Sequence, residues 1–225
     1  MMRKVITTKD GSSSIFWEEF NESYHSIHGA WQESLHVFIQ EGTDWFIKQY
    51  PEKQTIKIFE VGLGTGLNAI LTLQYALQNP QLTFEYHSIE AFPLSITEIE
   101  ALNYKNLLIE ELKPYFDLIH SSAWGVSSPF IQNFHFIKYH AQLLELEIIE
   151  NQFNIIYYDA FAPTKQEEMW NLESLSKATC LLKEGGIWVT YCAKGYVKRN
   201  LKALAMKVTA PRGAAGKREM IRAIK

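Results

Sequence analysis

The chain is poor in cysteine, with only Cys180 and Cys192 among its 225 residues. Both have apolar neighbours, which favours buried, reduced thiols over a disulfide or a metal pair. Glycine and proline are also scarce, at 12 and 7 residues, whereas 47% of the residues are hydrophobic. This composition argues against a disordered chain and predicts one compact domain.

Long hydrophobic runs are absent as well. No apolar stretch approaches the roughly 20 residues that a membrane-spanning helix needs, and none follows the first basic residues of the N-terminus. The sequence also shows no metal-binding cluster of histidine and cysteine. We therefore expect a cytoplasmic protein with neither a membrane nor a metal as partner.

Lysine and arginine are missing from residues 62–90. This segment begins inside a glycine-rich turn, Glu-Val-Gly-Leu-Gly-Thr-Gly-Leu-Asn at residues 60–68, which separates an apolar strand-like run from a helix-like run. Alternating glycines let the backbone bend sharply and let a ligand approach the N–H groups at the start of the following helix. The turn predicts a cofactor site; the alternative is a turn that only packs a helix on a strand.

The missing cations narrow the choice of cofactor. A dinucleotide fingerprint has its third glycine where this chain has Leu67, and the Gly-Lys-Ser/Thr of a P-loop is absent. Glu60 beside the turn would repel a pyrophosphate. S-adenosylmethionine fits better, because it carries a sulfonium and an ammonium, and its carboxylate suits the positive end of the helix after Gly66.

Charge is unevenly distributed along the chain, although the net charge is only -3. Residues 190–225 hold ten Lys and Arg against one acid, Glu219, whereas the first 189 residues hold 12 bases and 24 acids. Clustered bases of this kind supply phosphate contacts in nucleic-acid-binding proteins. The alternative is a solvated charged surface.

Hydrophobic periodicity predicts alternating strands and helices. Strands are expected at 55–59, 82–89, 134–139, 154–158 and 187–191, and helices at 67–77, 93–102 and 166–182. This alternation is typical of a parallel sheet covered by helices. Two short strands near 206–209 and 218–224 predict a terminal hairpin.

We expect residues 55–225 to form the domain. Residues 1–54, with a helix at 32–49, are expected to form an extension able to cover the cofactor. Residues 104–133 look like a mainly helical insertion.

Three acids follow predicted strands, at the sheet edge where ligands collect. Glu60 ends the first strand, and Glu90 ends the second, where a carboxylate can bind both ribose hydroxyls. Asp159 ends the fourth. Its carboxylate suits an amine substrate: it can accept an N–H, orient the nitrogen towards a methyl donor and favour loss of a proton. The alternatives are a surface acid for Glu90, and for Asp159 an N-cap of a helix beginning near Thr164.

Two further side chains are candidates. Phe161 offers an aromatic face to a base or a cation. His140 follows the third strand and either faces the adenine or is an ordinary loop histidine.

The motifs together resemble the methyltransferase domain of the tRNA 5-methylaminomethyl-2-thiouridine biosynthesis family, MnmC. The similarity extends over nearly the whole chain, through segments 24–38, 59–68, 88–94, 159–170, 190–199 and 216–220. The glycine turn is generic. Asp-Ala-Phe-Ala-Pro-Thr-Lys at 159–165 and Gly-Lys-Arg-Glu-Met at 216–220 are far more specific.

The resemblance implies a Rossmann-like class I S-adenosylmethionine-dependent methyltransferase, with a mostly parallel seven-stranded sheet, a terminal antiparallel hairpin and an N-terminal extension. The implied reaction is N-methylation of the 5-aminomethyl group of the wobble uridine in tRNA, after the base leaves the anticodon stack. Asp159 would be the catalytic residue facing the amine. The cofactor would be held by Glu60, Gly62, Gly64, Gly66, Asn68, Glu90, His140 and Ala141, and the tRNA by Phe161, Pro163, Lys165, Lys198, Arg199 and Arg218.

Two departures from the family pattern are visible. The bifunctional members carry a flavin-dependent oxidase domain that a chain of this length does not include, and Ala141-Gln142 replaces the usual small-plus-acidic pair after the third strand. Two other functions stay open from the residues alone. One is methylation of a small-molecule amine, and the other is a non-catalytic RNA-binding module that keeps the cofactor fold.

Overall fold

The protein is described by a computed structural model that covers residues 3–214 and 216–225. It begins with a three-stranded antiparallel sheet of β1 (Arg3–Thr7), β2 (Ser13–Trp17) and β3 (Glu22–Ser23). The β1–β2 connection is a tight turn in which the Thr8 N–H donates to the Ser12 carbonyl at 2.8 Å. The first part of the N-terminal extension is therefore a small folded sheet.

A long helical segment connects this sheet to the rest of the chain. It consists of α1 (Ala30–Ser34), a π-helical stretch (Leu35–Asp44) and α2 (Trp45–Gln49), and the joining residues all have right-handed helical backbone. Val37, Phe38 and Ile39 are buried on one side of it. The Thr43 hydroxyl hydrogen-bonds to the Tyr157 hydroxyl, which fixes the segment against the central sheet.

The central sheet has eight strands in the described part of the chain, in the order β10-β11-β9-β8-β4-β5-β7-β6. The five middle strands are parallel, whereas β6, β10 and β11 are antiparallel to their neighbours. The strands are β4 (Thr55–Val61), β5 (Thr83–Glu90), β6 (Ser128–Ile131), β7 (Phe134–His140), β8 (Phe153–Tyr158), β9 (Leu182–Thr190), β10 (Lys207–Thr209) and β11 (Ile221–Ile224). The predicted mostly parallel sheet with a terminal antiparallel pair is confirmed.

Helices cover the sheet: α3 (Leu67–Gln78), α4 (Ile96–Glu100), α5 (Tyr104–Leu107), α6 (Lys113–Ser121), α7 (Leu172–Cys180) and α8 (Gly195–Ala203). Strand β8 is buried along its whole length. Its side chains alternate between two apolar clusters, with Ile155 and Tyr157 in one and Ile156 and Tyr158 in the other. Burial on both faces explains why β8 is a continuous apolar run in the sequence.

Three details differ from the sequence prediction. The sheet has an eighth strand, β6, which contains Pro129 and lies at the edge, where a missing backbone N–H is tolerated. The predicted helix at 166–182 is divided into a 3₁₀ turn (Glu167–Trp170) and α7, which ends at Cys180. Helix α8, which buries Val197 and Leu201, was not predicted. No helix in the described part of the chain is long and apolar enough to cross a membrane.

Candidate active site

The glycine turn links the end of β4 to the start of α3. Gly62 has φ +95°, and a Cβ there would lie 2.7 Å from the Asp159 carbonyl oxygen. Gly64 has φ +51°, and a Cβ there would lie 3.0 Å from the ring of Tyr24. Any other residue at Gly62 would combine an unfavourable φ with a clash against the backbone after β8. The first glycine thus lets the turn pass directly over the acid that the sequence predicts to be catalytic.

The insertion at 104–133 contacts the glycine turn through helix α6. A Cβ at Gly66 would lie 3.0 Å from His120 Nε2 in α6, and that nitrogen lies 3.2 Å from the Thr65 carbonyl oxygen. Burial lowers the pKa of His120 to about 4, so its imidazole is neutral near pH 7. The insertion at 104–133 therefore packs against the cofactor turn.

Glu90 lies at the edge of the cleft beside this turn. One carboxylate oxygen accepts the Gly64 N–H at 2.8 Å, and the other accepts the Phe92 N–H at 2.7 Å. These two bonds fix the carboxylate at the end of β5, where it retains lone pairs for a ligand hydroxyl. The position fits the predicted contact with ribose.

A buried amide connects two of the predicted acids. Asn68 Nδ2 donates to Glu60 Oε1 at 3.0 Å and to Asp159 Oδ2 at 2.8 Å, and Ser88 Oγ donates to Glu60 Oε2 at 2.7 Å. Asn68 Oδ1 is buried without a partner. Glu60 is completely buried and does not line the cleft, so it holds Asn68 in place from below rather than facing the ligand.

Both carboxyl groups have raised pKa values. Burial is the main cause for each, raising the pKa of Glu60 to about 8 and that of Asp159 to about 7. The charge of Asp159 adds to the shift of Glu60, while the hydrogen bond from Asn68 opposes the shift of Asp159. Asp159 therefore titrates near neutral pH, as a group that exchanges a proton with an amine must. Its side-chain bond goes to Asn68, and α7 is capped by Asn171, so the N-cap alternative for Asp159 is wrong.

These groups surround one cleft, called here the cofactor cleft, bounded by residues 61–65, Leu67, Asn68, Glu90, residues 141–143 and Asp159. Of the three glycines of the turn, Gly62 and Gly64 line it and Gly66 does not. The space between these residues, including its open mouth, is about 950 Å³. Among the residues that the structure describes, those lining this cleft include acids but neither lysine nor arginine. The first N–H groups of α3 have no side-chain cap, which leaves them free for a carboxylate. Acidic walls with one anion-binding helix end fit S-adenosylmethionine.

The two residues predicted to lie near the adenine, His140 and Ala141, differ in their position relative to the cofactor cleft. Ala141 lines the cofactor cleft together with Gln142 and Leu143. His140 is exposed and lies outside the cleft, with its ring 5.2 Å from that of Trp124. The position supports the reading of His140 as an ordinary loop histidine.

Aromatic side chains of the N-terminal extension form one wall of the cleft. The Phe161 ring lies 4.8 Å from Tyr24, 5.3 Å from Phe20 and 5.7 Å from Trp17, centre to centre. Tyr24 and its neighbour His25 also line the cofactor cleft. The extension is thus packed against Phe161, which follows Asp159 by two residues.

A second cavity lies on the other side of this aromatic wall. It is bounded by residues 22–27, Glu33, Phe161, Ala162, Tyr191 and Lys217, and is called here the second chamber. Lys217 forms an ion pair with the nearly buried Glu33 and lies 5.0 Å over the Tyr191 ring. Neither Glu33 nor Lys217 was identified from the sequence as a site residue. The one signal was that both fall inside segments similar to the MnmC family.

The predicted substrate residues lie at different depths. Pro163 is buried and Lys165 half-buried, and neither lines the cofactor cleft or the second chamber. Arg199 in α8 and Arg218 are exposed. Lys198 Nζ donates to Glu219 Oε1 at 2.6 Å, which joins α8 to the segment that carries Lys217.

The parallel sheet, the glycine turn and the acidic cofactor cleft define an S-adenosylmethionine-dependent methyltransferase. A family model described as S-adenosyl-L-methionine-dependent methyltransferase matches residues 133–225. Among the described residues no group of three or more His, Cys, Asp or Glu side chains is arranged to hold a metal ion. The enzyme class and the cofactor predicted from the sequence are confirmed.

Individual relatives confirm the resemblance to MnmC. The chain is 30% identical over 220 residues to the tRNA 5-methylaminomethyl-2-thiouridine biosynthesis bifunctional protein MnmC of Pseudoalteromonas atlantica, covering 91% of this chain and 31% of that protein. The MnmC of Leptospira interrogans is 29% identical over 229 residues, covering 96% and 34%. The crystal structure of MNMC2 from Aquifex aeolicus superposes with a TM-score of 0.80 at 25% identity, over 99% of this chain and 70% of that one. The chain thus spans about a third of the length of these curated relatives.

Proposed function

We propose that this enzyme transfers a methyl group from S-adenosylmethionine to the primary amine of a 5-aminomethyl group on the wobble uridine of tRNA. The observation that carries the proposal is Asp159, a carboxylate with a pKa near 7 that lies at the meeting point of the cofactor cleft and the aromatic wall. The MnmC name of the relatives supports the choice of uridine and tRNA.

The chain's own residues account for the chemistry. S-adenosylmethionine supplies an electrophilic methyl group on its sulfonium. Asp159 accepts an N–H of the amine and so directs the nitrogen lone pair towards that methyl group. As the nitrogen–carbon bond forms and the carbon–sulfur bond breaks, the nitrogen carries an extra proton, which the Asp159 carboxylate accepts. Asn68 holds this carboxylate in place through its 2.8 Å hydrogen bond.

The exposed bases of the C-terminal part support a polyanionic substrate. Arg199 and Arg218 are exposed and are the sequence neighbours of the ion-paired Lys198 and Glu219. This basic part of the chain borders the second chamber through Lys217. A small-molecule amine would need no such surface. A non-catalytic RNA-binding module would need no carboxylate that titrates near neutral pH beside the cofactor.

The decisive experiment uses S-adenosylmethionine with a labelled methyl group. The enzyme is incubated with tRNA bearing 5-aminomethyluridine at the wobble position and, separately, with the free 5-aminomethyluridine nucleoside. We expect label in wobble 5-methylaminomethyluridine, found by nucleoside analysis, and little in the free nucleoside. Equal labelling of both would favour the small-molecule amine, and no labelling despite cofactor binding would favour the RNA-binding module.

A further inference from the structure

We propose that the second chamber binds the uracil ring of the substrate and that Glu33 and Lys217 recognise its edge. This inference rests on the proposed function and extends it to the means by which the base is selected. The carboxylate of Glu33 would accept the ring N3–H, and the ammonium of Lys217 would donate to the ring O4.

The shape of the site supports this assignment. The cofactor cleft and the second chamber share the walls Tyr24, His25 and Phe161, so a ring held in the chamber can direct a short substituent towards Asp159. Phe161 and Tyr191 provide aromatic surfaces on which a flipped pyrimidine can stack. The Tyr191 hydroxyl donates to the Ala160 carbonyl at 2.9 Å, which ties this surface to the residue after Asp159.

The polar groups match one edge of uracil. In a 5-substituted uracil, C5 is next to C4, so O4 and then N3–H flank the reacting substituent in the order acceptor and donor. Lys217 is a donor and Glu33 an acceptor, and the two already lie side by side as an ion pair. The second carboxylate oxygen of Glu33 accepts the Ser26 N–H at 2.9 Å, which keeps the carboxylate oriented.

The surroundings favour a neutral ring over an ion. His25, which lines both cavities, has its pKa lowered to about 4 by burial and is neutral near pH 7. The charges of Glu33 and Lys217 also act on Asp159 with opposite sign, the first raising and the second lowering its pKa. The pair is therefore close enough to Asp159 to influence its pKa, and its two charges act on that pKa in opposite directions.

The test compares two anticodon stem-loop RNAs that carry 5-aminomethyluridine at the wobble position, one of them methylated at ring N3. Binding is measured by fluorescence anisotropy with S-adenosylhomocysteine present, so that no turnover is needed. We expect the wild-type enzyme to bind the N3-methylated RNA about 10 to 100 times more weakly, the range for losing one good base-edge contact. In Glu33→Met, which has no carboxylate or amide oxygen to accept the N3–H, this ratio should fall to within about threefold.

Lys217→Met should weaken the binding of both RNAs about tenfold or more without changing the salt dependence, because O4 is not a phosphate. The matched controls are Lys105→Met and Asp117→Asn, which break an exposed ion pair elsewhere and should change nothing. A salt slope reduced by about 0.7 in Lys217→Met would assign this residue to a phosphate instead.

The inference is overturned if the wild-type enzyme does not discriminate against N3 methylation, or if Glu33→Met discriminates as strongly as the wild type does. Thermal unfolding with and without S-adenosylhomocysteine checks that each variant is folded and binds cofactor. Failure of the proposed function looks different: the RNA is then bound with N3 discrimination but receives no methyl group.

Discussion

At the scale of single residues, Asp159 is the group on which the chemistry depends. Its environment raises its pKa to about 7 through burial, and Asn68 holds it through one hydrogen bond. A carboxylate with an ordinary pKa would be a much weaker proton acceptor. The tertiary environment, more than the residue type, makes this acid suitable for an amine.

We predict that Asp159→Asn lowers kcat for methyl transfer by about 10²–10⁴, the usual contribution of a positioned base. In the wild type, kcat/KM should rise with pH up to about 7, because only the ionised carboxylate accepts a proton from the amine. This limb should be missing from the variant's pH profile. The dissociation constant for S-adenosylmethionine, measured by calorimetry, should change little; an equal loss of both would make Asp159 a structural residue.

Glu60 leads to a prediction about stability. Its pKa is about 8 in the folded protein, compared with an ordinary value of 4.5 for a glutamate in water. Folding therefore binds a proton between these pH values, and stability falls as pH rises towards 8. The buried histidines have lowered pKa values and affect stability only at lower pH. Above pH 7 we therefore expect Glu60→Gln, which carries no charge, to unfold at a higher temperature than the wild type.

The measurement is the difference in Tm between Glu60→Gln and the wild type, followed from pH 6 to pH 9. This difference should grow with pH and level off above about pH 8. A difference that stays constant would mean that Glu60 is ionised throughout the folded range, and a difference that shrinks would reverse the sign of the argument.

At the scale of elements, the glycine turn and the strand end after β8 form one unit. The Asp159 N–H donates to the Val61 carbonyl at 2.9 Å, and Gly62 passes close to the Asp159 carbonyl. The two elements therefore position each other, the first holding the cofactor side and the second the acceptor side. A change in one is expected to disturb both.

We predict that Gly62→Ala weakens S-adenosylmethionine binding by tenfold or more and lowers Tm. Gly125→Ala is a matched control, because Gly125 also has a positive φ, +71°, but a Cβ there meets nothing within 4 Å. Both variants carry the backbone strain of about 1–2 kcal/mol. Only Gly62→Ala adds the contact with the Asp159 carbonyl, so equal losses in the two variants would show that strain alone matters.

At the scale of the whole molecule, charge is divided between two regions. The acidic cofactor cleft suits a cationic donor, whereas the C-terminal part of the chain presents exposed bases such as Arg199 and Arg218. Such a division keeps a polyanion away from the cofactor and guides it to the opposite side of the aromatic wall. The second chamber lies on that side.

We predict that the double variant Arg199→Glu, Arg218→Glu binds tRNA more weakly and with a flatter salt dependence, the slope of log K against log salt falling by about 1–2. The control is Lys105→Glu, Lys113→Glu, which reverses the same number of charges in the insertion. Cofactor binding should be unchanged in both. A control that weakens tRNA binding equally would indicate a nonspecific effect of net charge.

Most of the central sheet and its first helix could be predicted from the sequence. The five parallel strands, α3 and the terminal strands have local patterns strong enough to read, since their apolar periodicity is set by burial on the sheet. Edge strand β6 could not be predicted, because it buries only one side chain and contains Pro129. Helix α8 was overlooked although Val197 and Leu201 have helical spacing. The acids at the strand ends were found because they follow recognisable strands.

The sequence by itself determined the sheet, the glycine turn, the cationic cofactor and Asp159, because these depend on local patterns and on the order of elements along the chain. Only the tertiary structure decided that Glu60 is buried beneath Asn68, that His140 lies outside the cleft, and that Glu33 meets Lys217 across 184 positions. Burial and long-range pairing depend on how separate elements pack. No local pattern contains that information.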